Sequence, residues 1–188
     1  MGPGYFTNPL EFIIGTLVSL YVLILMLRFL LAWVRADFYN PVSQFLVKAT
    51  NPLLVPLRRV IPSVGGVDMA SIVLMVAVQM LGITLILLLR GGGVAPLTLL
   101  FLSLGELVDL SFKVFIYGIV IQAILSWISP GAYNPAVSLL YSLTEPVLRP
   151  ARRLLPPISG LDLSPLVAIL ALEVLRRLVV PLLMALAT

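Results

Sequence analysis

The sequence predicts an all-α membrane protein: four transmembrane helices arranged as two tandem repeats of helix, amphipathic Pro-rich loop, helix. Three observations carry this. The chain is 61% hydrophobic and 11% charged, against about 45–50% and about 25% in soluble domains. Apolar runs long enough to cross a bilayer recur through it, and its mean hydropathy is +1.15. The stretch from Tyr39 to Asp68 returns 94 residues later, from Tyr133 to Asp162, with 13 of 30 aligned positions identical. That is an internal duplication. The matches include Thr50/Thr144, Pro52/Pro146, Pro56/Pro150, Arg58-Arg59/Arg152-Arg153, Pro62/Pro156 and Asp68/Asp162, and the same register sets Trp33 over Trp127.

The first repeat covers residues 1–93, with spans at about 12–34 and 69–89. Asn8-Pro9 reads as an N-cap followed by proline in the first turn, and Glu11 as the acid of a capping box. The N-terminal residues lack the basic region of a cleaved signal peptide, so the first span is expected to be retained. Trp33 closes it at the depth where indoles favour the membrane interface. In the repeated loop, Asn40-Pro41 and Asn51-Pro52 each read as a helix start. Val42, Phe45, Leu46 and Ala49 share one face, with Ser43, Gln44 and Lys48 opposite. Leu53, Leu54, Leu57 and Ile61 give a second apolar face, with Arg58-Arg59 opposite and Pro56 and Pro62 limiting its length. Either these helices lie in the headgroup plane, or the loop packs compactly on the helix ends. Gly65-Gly66 turn the chain, Asp68 caps the second span, and Arg90 with Gly91-Gly92-Gly93 ends it.

The second repeat covers residues 94–188, with spans at about 108–128 and 163–185. Residues 97–104 read as an extension of the third helix that breaks or bends near Gly105. Glu106, Asp109 and Lys113 follow on one face, as either a solvated helix end or a cation-attracting mouth. Ala136, Leu139, Leu140 and Leu143 repeat the apolar stripe, and Pro146 opens the second basic turn with Arg149, Arg152 and Arg153. Asp162 caps the last span. Within that span Glu173 has Arg176 and Arg177 at i+3 and i+4.

Composition also limits the chemistry. There is no Cys and no His. Thiol nucleophiles, disulfides and the commonest general base and metal ligand are thereby excluded. No Ser has an evident base, and the glycine run lacks the Lys and Ser/Thr of a phosphate cradle. A non-enzyme without a cofactor is the expectation. Net charge is +4, concentrated in the two repeated loops. In a membrane protein this marks cytoplasmic loops rather than a nucleic-acid surface. The expected setting is the cell inner membrane, with both loops cytoplasmic and both termini outside.

The run from Leu143 to Pro165, LTEPVLRPARRLLPPISGLDLSP, resembles the YggT family of small bacterial membrane proteins, whose plastid and cyanobacterial relatives are called YlmG. The likeness covers nearly the whole chain, as a two-repeat member. The first copy departs from it: Asn51 stands at the Glu145 position, and Met69-Ala70-Ser71 at Leu163-Ser164-Pro165. The resemblance implies a role in osmotic or envelope-stress physiology, in cell division, or in positioning a membrane assembly. It implies no catalytic residues.

Two groups of residues are candidates for function. Arg58, Arg59, Arg149, Arg152 and Arg153 could bind anionic lipid headgroups or a membrane-protein partner, a second copy of the chain included. Arg28, Gln79, Gln122, Glu173, Arg176 and Arg177 form an intramembrane polar set, since such groups in hydrocarbon are costly without partners. The repeat register suggests Arg28 beside Glu173 and Gln122 beside Gln79, as polar glue between helices or as the lining of an ion path. Alternatively Glu173 is satisfied inside its own helix. The two functional expectations are an adaptor or assembly factor and a small ion or osmolyte channel component.

Overall fold

The computed structural model describes residues 4–128, 134–154 and 162–187. Six helices occupy them: α1 (Gly4–Trp33), α2 (Pro41–Val60), α3 (Met69–Leu89), α4 (Pro96–Ile128), α5 (Pro135–Leu154) and α6 (Ser164–Ala185). Each repeat is thus a long helix, a 20-residue amphipathic helix and a helix of 21 or 22 residues. Three of the six are long and apolar enough to cross a membrane: Asn8–Trp33 within α1, α3 and α4. The 21 residues of α3 reach about 32 Å at 1.5 Å per residue, matching a hydrocarbon core of about 30 Å. The 33 residues of α4 exceed it. The fourth expected span, 163–185, is helical, but Glu173, Arg176 and Arg177 lie in its middle. Tyr133, Pro156 and Gly160 of the second loop lie outside the described residues.

Several local expectations are corrected. α1 starts at Gly4, so Pro9 lies inside the helix. Glu11 forms no capping box; its carboxylate accepts from Arg90 at 2.7 Å, tying the start of α1 to the end of α3. α4 runs unbroken through Gly105, which is buried where a Cβ would stand 3.2 Å from Met184 of α6. That glycine is there for close approach, not for a bend. The ends of the first hairpin follow cap chemistry. Gly91 closes α3 at φ +71°, with Gly92 N–H reaching back to Leu87 C=O at 3.0 Å. Arg35 plays the same part after α1 at φ 56°, without glycine's freedom there.

Each repeated loop contains one helix where two shorter ones were expected. Pro52 and Pro56 sit inside α2, and Pro146 and Pro150 inside α5. A proline strips the carbonyl four residues earlier of its donor. The i, i+4 spacing confines the loss to one row, Lys48, Pro52 and Pro56, which is exposed, so the freed carbonyls reach solvent. The opposite face buries Ser43, Leu46, Thr50 and Leu54. Ser43 is therefore not on the polar side: fully buried, it donates to Asp37 C=O at 2.9 Å. Of the apolar faces expected here, Leu46 and Leu54 are buried against the bundle, and Val42, Phe45 and Leu53 are exposed on the protein surface.

The helices pair within repeats, α1 on α3 and α4 on α6, and α3 on α4 joins the halves. α2 and α5 meet at one end of the bundle, where Asn40 donates to Pro135 C=O at 2.6 Å. One core cluster runs through α1 to α5, around Leu25, Leu54 and Leu107. A smaller one, Ile119, Leu148, Ala151 and Ala168, holds α4, α5 and α6 together. Hydrocarbon gives apolar faces little reason to associate, so close approach matters more than in water. A Cβ on Gly82 would stand 2.6 Å from Val18 Cγ1. Gly82→Ala should therefore cost about 1–3 kcal/mol through overpacking. Thermal unfolding in detergent checks this, and Val18→Ala in the same chain should restore most of the loss.

Candidate functional site

The polar residues within the spans are matched repeat by repeat. Arg28 of α1 is 5% exposed. Its guanidinium donates to the Thr50 hydroxyl and, at 3.4 Å, to Val47 C=O, both on α2. The Thr50 hydroxyl in turn donates to Leu46 C=O at 2.6 Å. Ninety-four residues on, the Thr144 hydroxyl bonds the side-chain carbonyl of Gln122 and lies 2.8 Å from Leu140 C=O. Gly118 lets α5 lie close to α4 here, since a Cβ there would stand 3.2 Å from Thr144 Cγ2. In both halves one polar side chain of a long helix grips one threonine of the amphipathic helix.

The expected pairings across the repeats are therefore corrected. Arg28 does not meet Glu173, because among the described residues α1 and α6 are not neighbours. Gln122 is held by Thr144, and Gln79 donates to Glu106 of α4. Glu173 is satisfied inside its own helix, by Arg176 at 2.8 Å and Arg177 at 2.7 Å. Arg176 also reaches Asp109 of α4 at 2.7 Å, and Asp109 takes Lys113 at 2.6 Å. Glu106, Asp109 and Lys113 thus lie well inside the helix α4 and not in its first turn. The residues equivalent to Asp109 and Arg176 in the first repeat are Gly15 and Gly82. Where one half brings its helices together on glycines, the other places an ion pair.

The second site is the end of the bundle formed by α2 and α5. Arg58 meets Asp68 at 2.5 Å, and Arg152 meets Asp162 at 3.2 Å. Asp68 also accepts from the Ser71 N–H and hydroxyl at 3.3 and 2.6 Å, and Asp162 from Ser164 N–H at 2.9 Å. Asp68 caps α3 as expected, whereas Asp162 does not cap α6, whose N-cap is Leu163 without a side-chain cap; both aspartates fix the first arginine of the preceding pair. Burial pushes both carboxyls up, but Arg58 and Ser71 at one, and Ser164 and Arg152 at the other, bring them below the ordinary carboxylate range. Glu145 accepts from Arg152 at 2.9 Å and from Arg149 at 3.4 Å. The second arginines, Arg59 and Arg153, are exposed and make no ion pair among the described residues. Sequence reasoning named all five arginines; it missed Thr50 and Thr144, whose identity in both copies was the available signal.

Two cavities adjoin this end. One of about 670 Å³ lies between the repeats, walled by side chains such as Phe29, Met75, Leu107 and Phe115. The other, about 520 Å³, is lined by Ser142, Glu145, Arg149 and Arg153 among others. Among the described residues no group of His, Cys, Asp and Glu could hold a metal.

Fold and site together define an all-α multi-pass membrane protein, built from two copies of one helical unit. The chain belongs to the CCB3/YggT family, which it matches over residues 7–89 and again over 101–183. It is 51% identical over 171 residues to a Pseudomonas aeruginosa protein named Uncharacterized protein PA0392, covering 90% of this chain and 87% of that one. It is 42% identical over 168 residues to a Vibrio alginolyticus protein, covering 88% and 90%. It is 40% identical over 169 residues to Uncharacterized protein YggT of Escherichia coli K12, covering 90% and 88%. No solved structure matches.

Two outcomes follow. Asp109→Asn or Arg176→Gln alone should destabilise more than the double variant, with a coupling of about 0.5–3 kcal/mol, while Arg28 and Glu173 should be additive within about 0.5 kcal/mol. Double-mutant cycles on unfolding in detergent measure both. The second concerns acid. Because Asp68 and Asp162 have lowered folded pKa values, their stabilisation is complete above the unfolded value of about 3.9 and disappears as pH falls through the folded ones. The Tm difference between wild type and D68N/D162N should be constant from about pH 7 to 5 and shrink on further acidification.

Proposed function

We propose that this is a non-catalytic adaptor or assembly factor of the cell inner membrane, acting through the basic end that α2 and α5 form. One observation carries the reading: both copies lock the first arginine of the pair to an aspartate and leave the second, Arg59 or Arg153, exposed at the same end of the bundle. A rigid, duplicated cationic surface suits a membrane-protein partner or anionic headgroups. On this reading α6 is the fourth span. It is the counterpart of α3, packs along α4, and its charges neutralise one another through Glu173, Arg176 and Asp109. The basic end faces the cytoplasm, since Arg35, Lys48 and the arginines of α2 and α5 gather there. The termini are then outside. Envelope or osmotic-stress physiology, or cell division, rests on the family resemblance alone.

A second reading, a small ion or osmolyte conduit, draws on Glu106, Asp109, Lys113, Glu173 and Arg176 within the spans. One experiment separates the two. R59Q/R153Q, with sidedness checked by impermeant labelling of a cysteine at Ser63, should lose partners recovered by pulldown in mild detergent while keeping its helical content. Reconstituted wild-type protein should show no selective flux. Reproducible flux abolished by D109N, in a folded protein, would establish the conduit instead.

A further inference from the structure

We propose that the chain holds one anionic phospholipid, with an acyl chain in the inter-repeat cavity and the phosphate between Arg149 and Arg153. The proposal deepens the reading of the basic end and rests on it only for those two arginines. The cavity draws on both repeats: Phe29 and Leu30 from α1, Met75 from α3, Leu107 and Phe115 from α4, Val147 from α5. Its volume, about 670 Å³, is within the range of ligand sites. Ser111 is its one hydroxyl, and that donates to Val108 C=O at 2.7 Å. Apart from the indole N–H of Trp33, no other side chain in this wall carries a polar group. An aliphatic chain suits it.

The polar cavity begins where the apolar one ends. Pro146 of α5 lines both, and the consecutive residues Trp33 and Val34 line one each. An occupant crossing at Pro146 must therefore be apolar at one end and suited to cations at the other. Arg149 and Arg153, four residues apart on α5, face the polar cavity. Glu145 is also in its wall, its carboxylate engaged by Arg152 at 2.9 Å and by Arg149 Nε at 3.4 Å, a longer contact that leaves the terminal N–H groups of Arg149 to a phosphate. A phosphodiester meets two guanidinium groups in the geometry these prefer. The first repeat cannot duplicate the site. Val55 stands at the Arg149 position and Lys48 at that of Ser142, and the apolar cavity is shared between the halves. One lipid per chain is the expected stoichiometry.

The test uses the full chain, delipidated in mild detergent and titrated with phosphatidylglycerol or phosphatidylcholine, with bound lipids counted by native mass spectrometry. One phosphatidylglycerol should be retained in preference to phosphatidylcholine. R149Q/R153Q should weaken it on the order of thirtyfold, at about fivefold for each basic residue near a membrane surface. K48Q, which removes a cation from the same end, should leave it unchanged. A phosphatidylglycerol carrying a photoreactive group on its acyl chain should label wild-type peptides containing Leu107 or Phe115. Equal retention of phosphatidylcholine, an equal loss in K48Q, or labelling confined to the outer faces of α1 and α6 would overturn the proposal. R59Q lies outside this mouth and should lose the partner while keeping the lipid. Partner retained in R59Q with the phosphatidylglycerol preference intact would fail the adaptor reading alone, and partner loss in R59Q with no phosphatidylglycerol preference in the wild type would fail the lipid proposal alone.

Discussion

The structure depends on how a helix with two prolines and a charged face is held against helices in hydrocarbon. Apolar contact gains little there, because lipid tails solvate leucine as well as another helix does. A hydrogen bond between the long helix and a threonine of the amphipathic one supplies the specific attachment: Arg28 donates to Thr50, and Thr144 donates to Gln122. Both threonines are fully buried, and so are Leu54 and Leu148 one turn further along the same faces. An Arg in one copy and a Gln in the other do the same work, so the bond rather than the charge is what the unit needs. With α2 and α5 fixed by those contacts, their C-terminal arginines fall beside Asp68, the cap of α3, and Asp162, which precedes the N-cap Leu163 of α6.

Duplication then left the two halves free to differ away from that bond. In the first, Gly82 lets α3 lie against Val18. In the second, Arg176 at the same register reaches Asp109 across the α4–α6 contact. A pair of charges in place of a glycine contact is costly in hydrocarbon unless fully partnered. Here it is partnered twice over, since Glu173 and Lys113 close the chain of ion pairs. Arg177, with its side chain 76% exposed, extends that chain to the outer face of α6, where its contact is Glu173. The first half is thus the tightly packed core of the protein, and the second carries its polarity.

Much of the architecture was legible in the sequence because repetition and hydropathy are strong signals. The span of α3, the terminating Gly91 and the capping Asp68 were read from spacing alone, and the i+3 and i+4 partners of Glu173 were the alternative to its expected pairing with Arg28. The continuity of α2 and α5 was not. Proline reads locally as a stop, and only the burial pattern tells that Pro52 and Pro56 share the exposed row. Gly105 misled for the same reason: a helix interior glycine reads as a bend until the facing Met184 is known. The polar partners failed differently. Register told which residues were equivalent, Arg28 with Gln122 and Gln79 with Glu173, but equivalence is not proximity. Their partners are set by which helices pack, and α1 never reaches α6. The two cavities were invisible in the sequence, since their walls come from five helices.

The placement of those cavities bears on what the charged side chains inside the spans are for. α4 turns Leu104, Leu107, Val108, Ser111, Phe112 and Phe115 into the inter-repeat space. Glu106, Asp109 and Lys113 are not in that wall; they point to Gln79, Arg176 and one another. An aqueous path needs polar lining where the open volume is, and around the inter-repeat cavity the two are separated on the circumference of α4. That cavity is apolar, and Glu106 and Asp109 are engaged by Gln79, Arg176 and Lys113, while Lys113 also lines a smaller cavity of about 360 Å³. That division fits a scaffold whose ion pairs hold helices together, with a repeated pair of exposed arginines, Arg59 and Arg153, at the ends of α2 and α5.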